Sequence, residues 1–542
     1  MCVVFQLSTM GTESRVKAQN QSHSATIIDV VPDNVLLDIF GFCLCNPTGL
    51  PLEQMKKWQR LVYVCRRWRQ IIFSSPRRLE LRLSCSYGIP VRKNLEFWPV
   101  TMPVTVDYPR HSSRPSPIDE DNIIAALEQA GRVHRVEMFT SDSLLRKVAT
   151  VMQKSFPALT HLGLGLQWDY NDAGMFSMGD APVLPKGFLN ESALRLQYLH
   201  FESFPFSEAP TFLLSSHNLV TLNLERMFQD SFISPKAMLE CLSGMTKLKT
   251  LSISFVEDNT DLFAFDQERT RLDLTTRVIL PSLTRFHFTG HSGFLEKFIA
   301  QIDAPLLLRL GITYYTFQAQ APQLFRFVGH TENLKFDQFS HAQAHFRDQV
   351  SVELDRSQGK SVHASPSLSI SFPALGTLNV QVQDTANFLG QFGTTLSNVK
   401  HLSVNGYIHH WGRYDLGSAE WIPFFLLFPA VQDLHLAGAV GARTASALDH
   451  EGITEEMPIF SALDTIWIDD EEYGFYEPLE VGSMKLHRFL SMRYRIGYLV
   501  SVVDTREDPD EKLEKFNSES VWNGQVRRTS SPSSHSCWDS PD

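Results

Sequence analysis

Apolar residues recur through most of the chain in the order Leu-x-x-Leu-x-Leu, with other apolar residues allowed. Nine copies of this pattern occur, at Leu159, Leu162, Leu164; Leu196, Leu199, Phe201; Leu219, Leu222, Leu224; Leu248, Leu251, Ile253; Leu283, Phe286, Phe288; Leu307, Leu310, Ile312; Val399, Leu402, Val404; Val431, Leu434, Leu436; and Leu463, Ile466, Ile468. The last two apolar positions of each copy are two residues apart, which places them on one face of a β-strand. Helical patterns separate several copies, at 234–245, 293–302 and 385–396. The chain is therefore predicted to repeat a strand–helix unit.

One such unit cannot bury both faces of its strand, so the units are expected to stack on one another. The middle apolar residues of the central run lie at 199, 222, 251, 286 and 310, which gives units of 23 to 35 residues. This pattern resembles leucine-rich repeats of a long and irregular type. The asparagine that the family repeats is mostly missing. An α/β sandwich with leucine-rich strands is the alternative, although a continuous parallel sheet would show longer Val/Ile runs.

Residues 27–83 have helical periodicity instead. A first helix is predicted where five apolar residues share a face, with Pro32 in its first turn: Val35, Leu36, Ile39, Phe40 and Phe42. A second is predicted over 58–73, where apolar residues at steps of three and four alternate with arginines. Two helices this short bury little surface alone. The segment is expected to pack against another protein or against its own chain.

These residues resemble the F-box. Val31 and Pro32 open the family pattern, and the remaining matches are Leu36, Leu37, Ile39, Phe40, Val64, Cys65 and Trp68. Val31 replaces the usual leucine, and the gap over 46–54 is longer than the usual turn. An ordinary helical hairpin within a larger core is the alternative.

An F-box joined to leucine-rich repeats resembles the substrate receptors of SCF-type ubiquitin ligases, particularly the large fungal sets. The resemblance implies that the F-box docks on the Skp-family adaptor, which links to the cullin and RING subunits, while the repeats bind an unknown protein substrate. It implies adaptor contacts from Pro32, Leu36, Leu37, Ile39, Phe40, Val64, Cys65 and Trp68. It also implies a non-catalytic subunit. Two alternatives are a scaffold held by the adaptor outside a ligase, and a leucine-rich interaction solenoid capped by a helical hairpin.

Substrate contacts are expected on the concave face of the repeats, because residues between the repeated apolar positions point away from the core. The candidates are Tyr198, His200, Arg285, His287, Arg309, His401, His435 and Trp467. They mix histidine, arginine and aromatic side chains without a single sign of charge. The partner is therefore not expected to be rich in phosphate.

The composition of the chain argues against several other classes of function. A net charge of -11 and a pI near 6.0 argue against a nucleic-acid partner. Seven scattered cysteines without a CxxC pair predict neither a zinc site nor disulfides. His401 with His409 and His410 lacks a carboxylate or thiol at ligand spacing, so no metal or cofactor is predicted. No catalytic motif occurs. Without an export signal or a membrane-spanning run, a cytoplasmic or nuclear protein with no membrane partner is expected.

The predicted fold class is α/β, with a small all-α F-box followed by an irregular leucine-rich-repeat solenoid of strand–helix units. Its predicted parts are a disordered N-terminus at 1–26, the F-box at 27–83, a Pro-rich connection at 84–120, the solenoid at 121–500 and a disordered Ser/Pro-rich tail at 501–542.

Overall fold

A computed structural model describes the following residues: 30–44, 60–75, 83–86, 91–108, 115–166, 183–185, 187–191, 194–206, 210–228, 233–256, 277–316, 320–335, 338–356, 366–374, 377–406, 421–437, 444, 448, 459–469, 479–495, 497 and 499–504. The chain divides into two compact units. The first comprises Met1–Ser84 and Trp98–Pro103, and the second Cys85–Phe97 and Val104–Asp542. The predicted disordered N-terminus, 1–26, lies outside the described residues.

The first unit is helical. Helix α1 (Asp33–Leu44) carries Phe40, whose ring lies 4.8 Å from the ring of Trp68 on α2 (Arg66–Ser74). The guanidinium of Arg67 donates to the carboxylate of Asp33 at 2.7 Å and fixes the start of α1 against α2. Val62, Ile71 and Ile72 complete this small core.

The second helix is shorter than the sequence pattern predicted. Turn residues at Tyr63 and Val64 interrupt the 58–73 stretch, and α2 begins only after Cys65. The sulfur of Cys65 accepts a hydrogen bond from the backbone N–H of Trp68 at 3.4 Å, so Cys65 is the N-cap of α2. The gap over 46–54 lies outside the described residues.

The prediction of a mere connection over 84–120 is wrong for much of that stretch. It contains β1 (Leu83–Cys85) in part, then α3 (Val91–Phe97), β2 (Val104–Tyr108) and the start of α4 (Pro117–Glu128). Its prolines do not exclude regular structure. Pro117 occupies the start of a helix, after a Ser116 that forms a capping box with Asp119.

A sheet of sixteen mostly parallel strands dominates the second unit. Together with the helices, it confirms the predicted α/β class. The strands after β2 are β3 (Val133–Thr140), β4 (His161–Leu166), β5 (Tyr198–Glu202), β6 (Thr221–Met227), β7 (Thr250–Phe255), β8 (Val278–Ile279), β9 (Arg285–Gly290), β10 (Ile302–Asp303), β11 (Arg309–Tyr314), β12 (His341–Phe346), β13 (Gln349–Asp355), β14 (Leu368–Pro373), β15 (His401–Gly406), β16 (Asp433–Ala437), β17 (Thr465–Asp469) and β18 (Ser501–Asp504). Of these, β8 and β10 form a separate two-stranded ribbon.

Helices alternate with the strands. They are α5 (Asp142–Val151), α6 (Thr211–Leu214), α7 (Pro235–Leu242), α8 (Ser292–Ile299), α9 (Pro322–His330), α10 (Leu378–Gly390), α11 (Trp421–Leu426) and α12 (Leu479–Arg495), with short 3₁₀ turns at Phe188–Glu191, Glu332–Leu334 and Gly393–Asn398. The helices predicted at 234–245 and 293–302 correspond to α7 and α8. The one predicted at 385–396 begins earlier, at Leu378, and gives way to a 3₁₀ turn.

All nine repeated motifs coincide with strands of this sheet. Their middle residues stand in register on adjacent strands: Leu162, Leu199, Leu222, Leu251, Phe286 and Leu310 in one run, and Leu402, Leu434 and Ile466 in another. Every one of them is buried, while the residues on either side are partly or fully exposed, apart from Gly163 and His200. The apolar rows therefore line one face of the sheet, where burial contributes about 25 cal/mol per Å².

An antiparallel hairpin at 341–355, formed by β12 and β13, interrupts the repeats. Strand β13 runs antiparallel to both β12 and β14, so the order across the sheet is β11, β14, β13, β12, β15. The outer two strands restore parallel pairing, with Leu310 opposite Leu368 and His341 opposite His401. This insertion explains why no repeat motif was found between residues 343 and 367.

The sheet also continues beyond the predicted end of the repeats. Strand β18 pairs in parallel with β17, so the predicted disordered tail is wrong at 501–504. Before it, Arg493 of α12 is fully buried and donates to the backbone carbonyls of Ile459, Phe460 and Leu463 at 3.2, 2.9 and 3.4 Å. This cation holds the last helix to the segment that leads into β17. Residues 505–542 lie outside the described part.

Candidate functional site

Helix α1 presents apolar side chains on two faces. Leu36, Leu37 and Phe40 are buried, and Phe40 is 0% exposed. Val35, Ile39 and Phe42 are 41%, 45% and 82% exposed, and their spacing of four and three residues places them along one side of the helix. We call these three residues the exposed helix face. A helix this apolar on both sides, in so small a unit, leaves one side for another surface.

The eight predicted adaptor-contact residues fall into two groups. Leu36, Leu37, Phe40 and the half-buried Trp68 hold the first unit together. The exposed group is Pro32, Ile39, Val64 and Cys65. Within the exposed group, Cys65 also caps α2 through its sulfur.

Sequence reasoning left three exposed apolar residues out of the predicted contact set. Val35 and Phe42 belong to the exposed helix face, and Tyr63 lies in the exposed turn before α2, where it is next to Val64. The prediction of one shared apolar face for these five residues is wrong, because a helical projection of 35–42 separates Val35, Ile39 and Phe42 from Leu36 and Phe40. That signal was available from the spacing alone.

The eight predicted substrate-contact residues lie on strands of the sheet, on the face opposite the apolar rows. They are Tyr198 and His200 on β5, Arg285 and His287 on β9, Arg309 on β11, His401 on β15, His435 on β16 and Trp467 on β17. We call this surface the polar sheet face. His200 differs from the others because it is only 9% exposed, so it is a buried member of the set.

Ring stacking between adjacent strands orders this face. The rings of His161 and Tyr198 lie 3.9 Å apart at an interplanar angle of 2°. His341 stacks on His401 at 4.3 Å, and His435 stacks on Trp467 at 5.3 Å. Cross-strand pairs of this kind contribute about 0.2–1 kcal/mol each, and they hold the rings in fixed positions.

Ionic contacts fix further side chains. The carboxylate of Asp433 lies 2.8 Å from Nδ1 of His401. The Nε2 of His161 lies 3.0 Å from Glu137, which also pairs with Arg135. The hydrogen bond from His161, aided by Arg135, lowers the pKa of Glu137 although burial opposes this. Burial and the neighbouring His401 lower the pKa of His341.

Charge is distributed unevenly along the polar sheet face. Asp107, Glu137, Glu202 and Glu225 bring carboxylates to the strands between β2 and β6. Arg285 and Arg309 are exposed on the later parallel strands, and the Nε of Arg285 donates to Thr250 at 3.2 Å. A partner of this face would meet mostly carboxylates on the early strands, where Arg135 pairs with Glu137, and exposed guanidinium groups on β9 and β11.

A potential ligand set for a metal ion occurs where none was predicted. The ligand atoms of His200, Glu202 and Glu225 all lie within 4.8 Å of one another, the one such group found among the described residues. The pair His409 and His410, considered and set aside from the sequence, lies outside those residues.

The thiols of the described region are free, with Cys43 and Cys65 exposed and Cys85 and Cys241 buried. Burial raises the pKa of Cys85 to about 12, and burial raises that of Cys241 to about 12 as well. Neither buried thiol is suited to act as a thiolate nucleophile near neutral pH.

No family model fits the chain, and no curated relative is found. Among the helices of the described ranges, none has the length and apolar character that a membrane crossing requires. The functional assignment therefore depends on the residues and on the two surfaces described above.

Proposed function

We propose that the chain is the substrate-recognition subunit of an SCF-type ubiquitin ligase. In this proposal residues 27–83 form an F-box that docks on the Skp-family adaptor, and through it on the cullin and RING subunits. The α/β unit is an irregular leucine-rich-repeat solenoid that binds a protein substrate on the polar sheet face. The chain itself performs no catalysis.

The observation that carries the proposal is the exposed helix face. Val35, Ile39 and Phe42 expose apolar surface from a helix whose other side is fully used in the core of the first unit. Burying a side chain of this size against a partner contributes roughly 1.5–3 kcal/mol. Phe42, the most exposed of the three, is the expected anchor because aromatic residues dominate such contacts.

The polar sheet face supports the second half of the proposal. Its stacked rings and ion pairs present a preorganised set of polar and aromatic groups, which limits the entropy lost when a protein partner binds. Its mixture of arginine, histidine and carboxylate side chains favours a protein partner with charges of both signs.

Binding of the full-length chain to a purified Skp-family adaptor tests the first half. The variant Ile39→Glu/Phe42→Glu should lose adaptor binding, because charged side chains replace apolar ones at the contact. Both positions are exposed, so circular dichroism should remain that of the wild type. Ile118→Glu is the matched control: Ile118 is 72% exposed in the first turn of α4, where an added carboxylate is tolerated.

Absence of adaptor binding by the wild-type chain overturns the F-box assignment. Equal binding by the wild type and the Ile39→Glu/Phe42→Glu variant overturns the assignment of the contact face. Recovery of the adaptor without cullin would favour the non-ligase scaffold over the ligase subunit.

A further inference from the structure

The ends of strands β5 and β6 bring a histidine and two carboxylates together on the polar sheet face. In the parallel register Glu202 stands directly opposite Glu225, and His200 stands directly opposite Asn223. Glu202 is 1% exposed, while the side chain of Glu225 retains about a third of its exposure. The group therefore has a buried inner side and an outer side that solvent reaches.

Two glycines of β4 allow this arrangement. Gly163 and Gly165 occupy the positions of β4 that adjoin His200 and Glu202. A Cβ on Gly165 would lie 2.4 Å from the ring of Phe139 and 3.2 Å from Cβ of Glu202. Without that Cβ, the ring of Phe139 leans across β4 and meets the ring of His200 at 5.7 Å. The imidazole is thereby held in place by packing.

One proposed ligand atom and one neighbouring polar atom at this place are buried without a hydrogen bond. The Nε2 of His200 has none among the described residues, and its contact with the carboxylate of Glu225 is 3.6 Å. The Oδ1 of Asn223, opposite His200, is likewise buried without a donor. Buried polar atoms in native proteins nearly always have a partner, and a bound ion is one of the partners that can supply it.

Electrostatics favours a cation between the two glutamates. Like charges directly opposite one another on adjacent strands destabilise a sheet, and burying a carboxylate is costly unless it is paired or coordinates a metal. The Nε of Arg226 lies 3.9 Å from Glu202, so this carboxylate already has one cationic neighbour. A divalent ion at the centre of the group would interact with both carboxylates at once.

We propose that His200, Glu202 and Glu225 bind a divalent transition-metal ion that links strands β5 and β6. An imidazole nitrogen with two carboxylates suits zinc and its neighbours in the first transition row better than calcium or magnesium, which take all-oxygen sites. Positions on the Glu225 side would be filled by water or by a side chain of a bound protein. This site does not depend on the proposed ligase function.

The test is zinc titration of the full-length chain after dialysis against a chelator, followed by calorimetry and by the visible spectrum of cobalt as a substitute ion. Glu225→Gln and His200→Gln should each lower the affinity of one site at least about tenfold. Glu225→Gln is the decisive variant, because its half-exposed side chain can change without disturbing the fold. Zinc should also raise the melting temperature of the wild type but not of these two variants.

The matched controls are Glu353→Gln and His401→Gln, a half-buried carboxylate and a histidine elsewhere on the same sheet face. Both should bind zinc as the wild type does. The proposal is overturned if the wild type binds no zinc, which would leave Arg226 as the partner of Glu202. It is equally overturned if Glu225→Gln and His200→Gln bind as tightly as the wild type, or if all four variants lose binding alike.

Discussion

The two units of the protein use their surfaces in opposite ways. Helix α1 of the first unit exposes Val35, Ile39 and Phe42 beside a core built on Leu36 and Phe40. The second unit keeps the apolar rows of its sheet covered, places histidine, arginine and tyrosine on the opposite sheet face, and buries Glu202 on β5 and Arg493 on α12. The first unit therefore has an exposed apolar face on one helix, and the second has charged groups in its interior.

This difference separates two kinds of recognition. An apolar helix face fits a partner of complementary shape and gives much affinity with little chemical discrimination. A face of fixed polar and charged groups discriminates partners through hydrogen bonds and charges that must be matched. In the proposed ligase subunit, the first kind of surface would bind the adaptor and the second would bind the substrate.

The largest expected effect tests the two sides of α1. Phe40→Ala should destabilise the first unit by about 3–5 kcal/mol, because it removes a fully buried ring that contacts Trp68. Ile39→Ala, one residue earlier, should change stability by less than about 1 kcal/mol and weaken adaptor binding instead. Hydrogen exchange over α1 measures the first effect. Equal exchange rates in the two variants would contradict the two-sided description.

A smaller effect is expected from the buried cation of the second unit. Arg493→Met should destabilise the last strands by roughly 2–4 kcal/mol, since the carbonyls of Ile459, Phe460 and Leu463 lose their donor in a buried place. Arg495→Met, an exposed residue of the same helix, is the control and should stay within about 0.5 kcal/mol. Urea unfolding measures the stability of both variants. Similar midpoints would mean that Arg493 does not stabilise the last strands.

Adding a side chain at Gly165 of β4 should have an intermediate effect on stability. Gly165→Ala forces the ring of Phe139 to move and should cost about 1–3 kcal/mol. Gly131→Ala is the matched control, because a Cβ there has nothing within 4 Å. The melting temperatures of both variants measure this difference in stability. An unchanged melting temperature for Gly165→Ala would show that the Phe139 ring is not confined.

The smallest expected effect is on the pH dependence of stability. Because His161 and Arg135 lower the pKa of Glu137 in the folded chain, its contribution to stability is complete above its ordinary pKa of 4.5 and is lost as pH falls through the lower folded value. Glu137→Gln should therefore lower the free energy of unfolding at pH 7, by less than about 1 kcal/mol, and should not do so near pH 3. Urea titrations at the two pH values measure this, and a difference that persists in acid would exclude the ion pairs as its source.

Most of the sheet could be predicted from sequence because its rows repeat. Leu222 and Leu251, for example, are the middle residues of two copies of the motif. Each copy predicts the position of its strand within a residue or two. The hairpin at 341–355 lacks the leucine spacing, so the repeat pattern does not predict it. Its own signal is plain alternation, with Ala342, Ala344 and Phe346 buried. Strand alternation alone would have identified it.

The candidate sites were predictable only in part. Histidines of the polar sheet face follow from strand alternation, but the grouping of His200 with Glu225 depends on which strands are neighbours and on their register. Two residues separated by 25 positions in the chain carry no local signal of proximity. Glycine at position 165, which lets Phe139 reach His200, has a role only once β3, β4 and β5 lie side by side.

The hairpin in the sheet has a consequence for the order in which the chain folds. In the regular runs each strand pairs with the next one along the chain, whereas Leu310 pairs with Leu368, and His341 with His401, across 58 and 60 residues. Doubling a loop costs only about 0.6 kcal/mol in closure entropy, so the final stability changes little. The effect on the folding rate is larger, because contacts between residues this far apart in the sequence form slowly. Strands β2 to β11 and β15 to β18 should thus form as two separate nuclei, and the hairpin should be the last part to join them.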